Sequence, residues 1–272
     1  MKLVDLFDCF LIDLDGVVYI SDKAVPDSVE CICELLKLDK TVIFLTNNPR
    51  HSIADYSEKL NKLGITGTTL NIITSGSALA RHIKSHFEDL NHKKAYVIGS
   101  HNLKKHIEEI GLKLVNGDEA KNADFVVFGG HPEFHYDEMK IATLAISNGA
   151  HFYATNRDMV YPTAEGQIPA TGAMLASIEF ASGKKAVSAG KPDTMMFDIA
   201  SDQHSHEKER TVIIGDHLDT DILGGKNAGI ATVLMISDPK IADELEQSDI
   251  RPDYIIYSLK DLFSEISELK CQ

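Results

Sequence analysis

Two aspartates close the apolar run FLIDLDGVVY, Asp13 and Asp15, and Gly16 follows at once. On an extended chain, side chains at i and i+2 point to the same face. Carboxylates that close repel one another, so one is suited to bind a cation or act as a nucleophile while the other holds a proton. Gly16 lets the backbone turn sharply after them. Taken alone, the pattern also suits a strand end capped by acids in a turn. VIFLTNN places Thr46, Asn47 and Asn48 after a second apolar run. A hydroxyl and amides at the start of a helix make a seat for an oxyanion or phosphate. The same residues also make a plain helix cap. In AGKPD, Lys191 precedes Pro192 and a helical stretch. There its ammonium could neutralise a phosphoryl oxygen or a reactive carboxylate, or simply face solvent. VIIGDHLDTDILGGKNAGI brings Asp216, Asp219 and Asp221 after a β-branched run. An acid at a strand end beside glycine is placed to bind a hard cation such as Mg2+. The later acids could hold Lys191 or a metal-bound water.

These residues need a frame, and the sequence supplies one. Short runs apolar on both faces predict strands over Phe10–Leu14, Thr41–Leu45, Ala95–Ile98, Phe125–Phe128, His151–Ala154, Thr211–Ile214, Ala231–Met235 and Tyr254–Ile256. That is the pattern of a parallel sheet covered by helices. Helical spacing predicts Pro26–Leu38, with proline in the first turn, Ser52–Leu63, Leu103–Ile110 and Tyr136–Asn148. Strands alternating with helices imply βαβ units. All four polar segments then fall at strand ends, and open α/β sheets bind ligands outside the carboxyl ends of their strands. The ordered set D-x-D-G, T-N, K-P and G-D-x-x-x-x-D is far more specific than any one member. The polar stretch Ser201–Arg210 reads as a solvated loop, and its histidines as solvent-exposed.

Composition narrows the chemistry further. The chain has 272 residues, 43% of them apolar and 25% charged, as in ordinary globular proteins. Its formal charge of −14 argues against nucleic acid or an anionic membrane as partner, since both want clustered Lys and Arg. A small phosphate ligand stays open, because local cations and a bound metal are hidden in that sum. The N-terminus lacks the basic region of a signal peptide, and no apolar run is long enough to span a membrane. Cys9, Cys31, Cys33 and Cys271 read as free thiols of a reducing cytoplasm, and the C-x-C pair in a helix makes a poor metal clamp.

The four segments DLDGVVY, FLTNN, GKP and GDHLDTDILGGKNAG resemble those of haloacid dehalogenase (HAD) superfamily phosphatases. The similarity is to the NagD-like and p-nitrophenyl phosphatase-like group, class IIA with a C2 cap, and extends over nearly the whole chain. It implies an α/β fold: a Rossmann-like doubly wound parallel sheet with an inserted α/β cap domain. The core would be 1–77 and 184–272, and the cap 78–183 would select the substrate. It implies Asp13 as nucleophile and Mg2+ ligand. Asp15 would be the general acid and base, with its backbone carbonyl on the metal. Thr46, Asn47 and Lys191 would bind the phosphoryl group. Asp216 would complete the Mg2+ ligands, with Asn48 and Asp221 behind them. Asp15 points to a phosphatase or phosphomutase rather than a dehalogenase, because a halide needs no proton.

The implied reaction is Mg2+-dependent hydrolysis of a small phosphorylated metabolite, of the sugar phosphate, phosphoglycolate or pyridoxal phosphate type. In the segment ATNRDMVYPTAEGQIPATGAM, Asp158, Tyr161 and Pro162 are candidates for contacts to the leaving group. His131 stands where the family often has an acid, and it reads first as an ordinary loop histidine. Relatives also imply a homodimer through the cap. Two rival readings are a non-catalytic phosphometabolite-binding or sensor protein on the same fold and a receiver-like signalling module. Asp15 argues against the first, while length and motif order argue against the second.

Overall fold

The computed structural model describes residues 1–66, 71–163, 165–204 and 206–265. Cys271 lies outside them. By its internal contacts the chain divides into two compact units. The first comprises Met1–Thr46, Ile53–Ile73 and 191–272. The second comprises Asn47–Ser52 and Thr74–Gly190. The second unit thus begins earlier and ends later than the insert 78–183 expected from sequence, and it takes in the short segment Asn47–Ser52.

The first unit is built on a six-stranded sheet. In spatial order its strands are Tyr254–Ile256, Ala231–Met235, Thr211–Gly215, Cys9–Asp13, Thr41–Thr46 and Asn71–Thr74. From Tyr254–Ile256 through Thr41–Thr46, every neighbouring pair is parallel. All five residues of Cys9–Asp13 are buried, so both faces of this strand are covered. Ile12 pairs in register with Phe44 on one side and Ile214 on the other, and all three belong to one apolar cluster. Truncating such a side chain to alanine costs about 2–5 kcal/mol. The chain runs from Cys9–Asp13 outward to Thr41–Thr46, and later returns to its other side with Thr211–Gly215. The order therefore reverses between Cys9–Asp13 and Thr211–Gly215, and such a switch point opens a crevice at the carboxyl ends. Asp13 ends one of these strands, and Asp216 follows the other.

The second unit carries its own five-stranded sheet, ordered Val187–Ser188, His151–Ala154, Phe125–Phe128, Lys94–Ile98 and Lys113–Leu114. Its pairings are all parallel. Tyr96, Ile98, Val126, Phe128, Ile146 and Ile178 form part of its separate core. Val160–Thr163 and Gly166–Pro169 form an antiparallel hairpin.

Local chemistry moves several expected boundaries. The helix expected from Pro26 starts instead at Ser28, because Asp27 adopts φ +64° at the cap position and cannot be part of a right-handed helix. Residues Ser201–His204 complete the helix Met195–His204 instead of opening a loop. His206 is half-buried, with Nε2 2.8 Å from Thr41 Oγ1, so it is not a solvated loop residue. Cys9, Cys31 and Cys33 are free thiols. Among the described residues no helix is long and apolar enough to cross a membrane.

Candidate active site

Asp13 is the last residue of its strand and is buried. Lys191 follows Gly190 and is 2% exposed. Its ammonium donates to Asp13 Oδ1 and, over 2.5 Å, to Asp221 Oδ1. Asp216 stands one residue beyond the strand Thr211–Gly215, and the chain then makes a π-helical turn over Leu218–Ile222. That wider turn brings Asp221 back over the strand end, where its Oδ2 accepts the His217 N–H at 3.2 Å. Asp219, on the same turn, is exposed and takes no part.

Three buried carboxylates thus face one buried ammonium. Burial pushes the Asp13 carboxyl well above its usual range; Lys191 opposes this, while Asp221 and Asp216 reinforce it. Asp216 is pushed up to about 6, chiefly by burial, with His217 opposing and Asp221 adding to the effect. Burial also disfavours the charge on Lys191, yet Asp13 and Asp221 outweigh it and hold the ammonium above its ordinary range. The cluster is short of positive charge.

The donor set fits a divalent cation. One carboxylate oxygen from each of Asp13, Asp216 and Asp221 lies within 4.8 Å of the others. Asp216 Oδ1 is buried without a hydrogen-bond partner, an arrangement that costs free energy unless something binds there. Both oxygens of Asp221 already accept protein hydrogen bonds, so its task is to hold Lys191 and the backbone of the turn. Asp13 and Asp216 are then the side chains that could hold such an ion, and hard carboxylate oxygens suit Mg2+.

The remaining candidates are placed differently. Asp15 lies beyond the end of its strand and is exposed, while Asp13 is buried. Thr46 is buried at the end of its strand. No helix starts behind it: the next one opens at Ile53. Thr46 instead shares a hydrogen bond with Tyr56, a residue that sequence reasoning missed. Burial holds the Tyr56 phenol well above its ordinary range, the charges of Asp15 and Asp13 push the same way, and Thr46 opposes. Nothing in the sequence marks Tyr56, since a tyrosine on a helix reads as core.

Asn47 is grouped with the second unit, where its Nδ2 donates to Asp158 Oδ1 at 2.8 Å. Asn48 Oδ1 accepts the Arg50 N–H at 3.0 Å and so shapes the turn. Tyr161 stacks under the Arg50 guanidinium, 5.1 Å from the ring centroid. Pro162 belongs to the hairpin. His131 Nε2 lies 2.9 Å from Glu138 Oε1, tying a loop to the helix Tyr136–Ser147.

Residues 10–113 match the family of haloacid dehalogenase-like hydrolases, and residues 188–262 match the HAD-hydrolase-like family. An acid sugar phosphatase from Staphylococcus haemolyticus is 31% identical over 96% of this chain and 96% of its own length. The ribonucleotide monophosphatase NagD from Escherichia coli is 32% identical over 92% of this chain and 96% of its own. The crystal structure of a 4-nitrophenylphosphatase from Thermotoga maritima aligns with a TM-score of 0.88 at 31% identity, covering 98% of this chain and 100% of that one.

Proposed function

Since the chain belongs to the haloacid dehalogenase-like hydrolases, in their NagD-like group, and is a phosphatase, we propose that it hydrolyses a small phosphate monoester through an aspartyl-phosphate on Asp13, with Mg2+ as cofactor. The observation that carries this is the buried Oδ1 of Asp216, which has no hydrogen-bond partner and lies in one cluster with Asp13 and Lys191. A receiver module or a passive binder needs no general acid, and Asp15 supplies one.

Asp13 attacks phosphorus through a carboxylate oxygen, and the bond to the leaving oxygen breaks. Asp15, exposed at the strand end, gives its proton to that oxygen and then takes one from the water that attacks the aspartyl-phosphate. Phosphate leaves and the Asp13 carboxylate is restored. Lys191 offsets charge between Asp13 and the phosphoryl group, and Asp221 keeps the lysine in place. Thr46 and Asn47 contact phosphoryl oxygens. Asp13, Asp216 and the Asp15 carbonyl would hold Mg2+, which supplies the charge that lets a phosphate dianion approach these acids. Sugar phosphates, phosphoglycolate, pyridoxal phosphate and ribonucleotides are the substrate classes to screen. The free thiols Cys9, Cys31 and Cys33 accord with a cytoplasmic enzyme.

The test is phosphate release from p-nitrophenyl phosphate by purified protein. Activity should need Mg2+ and vanish in Asp13→Asn; full activity in that variant would overturn the mechanism.

A further inference from the structure

The segment Asn47–Ser52 is held by side chains of the second unit, carbonyl by carbonyl. The Asn47 carbonyl accepts from Asn156 Nδ2 at 2.8 Å and from Ser75 Oγ at 2.6 Å. The Pro49 carbonyl accepts from Ser100 Oγ at 3.1 Å, and the Arg50 carbonyl from Asn102 Nδ2 at 2.8 Å. The Asn47 side chain closes a ring through Asp158 and Asn156. Its Nδ2 donates to Asp158 Oδ1 at 2.8 Å, and the Asp158 N–H donates to Asn156 Oδ1 at 3.2 Å. Asn156 in turn holds the Asn47 carbonyl. Asp158 is anchored a second time, through its own carbonyl, by the Gly172 N–H at 2.8 Å. Gly190 walls the ring on another side. A Cβ there would come within 2.7 Å of Asn47 Oδ1 and 2.8 Å of Asn156 Cβ, so only glycine fits without a shift.

We propose that Asp158 is a positioning residue for phosphate binding: it fixes which way the Asn47 amide faces, and it is not a contact to the leaving group. The inference rests on the proposal that Asn47 binds the phosphoryl group. An asparagine amide rotates about a broad, roughly two-fold torsion, and a half-turn exchanges its donor nitrogen for its acceptor oxygen. Turned the wrong way, Asn47 would present an oxygen to an anion. An ionised carboxylate can only accept, so Asp158 can hold only the nitrogen side of the amide. That bond, with the Gly190 wall beside Oδ1, sets one orientation before phosphate arrives.

Inorganic phosphate separates the two roles, because it has no leaving group. Phosphate affinity of the Mg2+-loaded full chain, measured by titration calorimetry, should fall about tenfold in Asp158→Ala and by a similar factor in Asn47→Ala. The double variant should bind no more weakly than Asn47→Ala alone. Asp158→Asn keeps an acceptor oxygen and should recover most of the loss. It also serves as the test if the alanine variant fails to fold. Unchanged phosphate affinity in Asp158→Ala would overturn the inference, as would additive losses in the double variant. Turnover of p-nitrophenyl phosphate is followed in parallel. Its absence in the wild-type chain would overturn the phosphatase mechanism, and the phosphate affinities would still decide the role of Asp158.

Discussion

The carboxylate of Asp216 lies directly over the α-carbon of Gly16: a Cβ built on Gly16 would stand 2.0 Å from Asp216 Oδ2. Gly16 also has φ +89°, a conformation that side-chain-bearing residues rarely adopt. The turn after Asp13 and Asp15 is therefore shaped to admit the acid that follows the neighbouring strand. The two motifs meet across the switch point of the sheet, and glycine is the residue that lets them close.

Gly16→Ala should displace Asp216. We expect the Mg2+ concentration for half-maximal activity to rise about tenfold or more, and the unfolding free energy to fall by about 1–3 kcal/mol. Mg2+ titration of phosphate release and urea unfolding read the two effects, and an unchanged Mg2+ requirement would contradict the geometry.

Lys191→Met would leave Asp13 and Asp221 buried without their shared cation. Removing one partner of a buried ion pair costs about 3–5 kcal/mol, and losing a charge that stabilises the transition state costs about 10²–10³ in turnover. Both losses are expected, by urea unfolding and by steady-state kinetics. A variant as stable as the wild type would mean that the cluster does not depend on this lysine.

Asp15→Asn separates the two halves of the reaction. Nitrophenolate is a weak base and leaves without a proton, but water still needs a base to attack the aspartyl-phosphate. Rapid mixing with p-nitrophenyl phosphate should show a burst of nitrophenolate matching the enzyme present, followed by turnover slowed by about 10²–10⁴. An alkyl phosphate should give no burst. Wild-type turnover in this variant would remove Asp15 from the chemistry.

Mg2+ should stabilise the chain as well as activate it. At a concentration about a hundred times its dissociation constant, a ligand that binds only the folded state adds about 2.7 kcal/mol. Melting curves with chelator and then with excess Mg2+ should differ accordingly. The shift should disappear in Asp216→Asn, since Asp216 carries the buried oxygen without a hydrogen-bond partner. A full shift in that variant would place the ion elsewhere.

Glu179, 5% exposed, is the buried acid of the second unit. It accepts from Arg157 Nη1 at 2.9 Å, Lys185 Nζ at 2.6 Å and the Ala186 N–H at 2.9 Å. Burial raises its pKa, but these donors outweigh burial and hold it below its ordinary value of 4.5. Its contribution is therefore complete above about pH 4.5 and is lost as pH falls through the lower folded value. Glu179→Gln should cost about 1–2 kcal/mol at pH 7, and the gap to wild type should narrow as the medium becomes more acidic. Melting temperatures across that range test this, and a gap that widened toward acid would refute it.

The sequence by itself determined the alternation of strands and helices and the identity of the acids and the lysine. Strand runs such as Phe125–Phe128 and Ala231–Met235 appear in the structure with the bounds their apolar pattern predicts. Periodicity is local, and so is a glycine after a pair of acids. The tertiary structure decided which groups share work. Lys191 meets Asp13 across 178 residues, and no local pattern says that Asp221, rather than Asp219, will share that lysine. Asp216 is left with a buried oxygen in need of a partner only because the sheet order sets its strand beside Asp13. Asn47 follows Thr46 directly, yet the two side chains pair within different units, one with Asp158 and one with Tyr56. Those pairings depend on chain closure over long separations, which residue type and spacing do not encode.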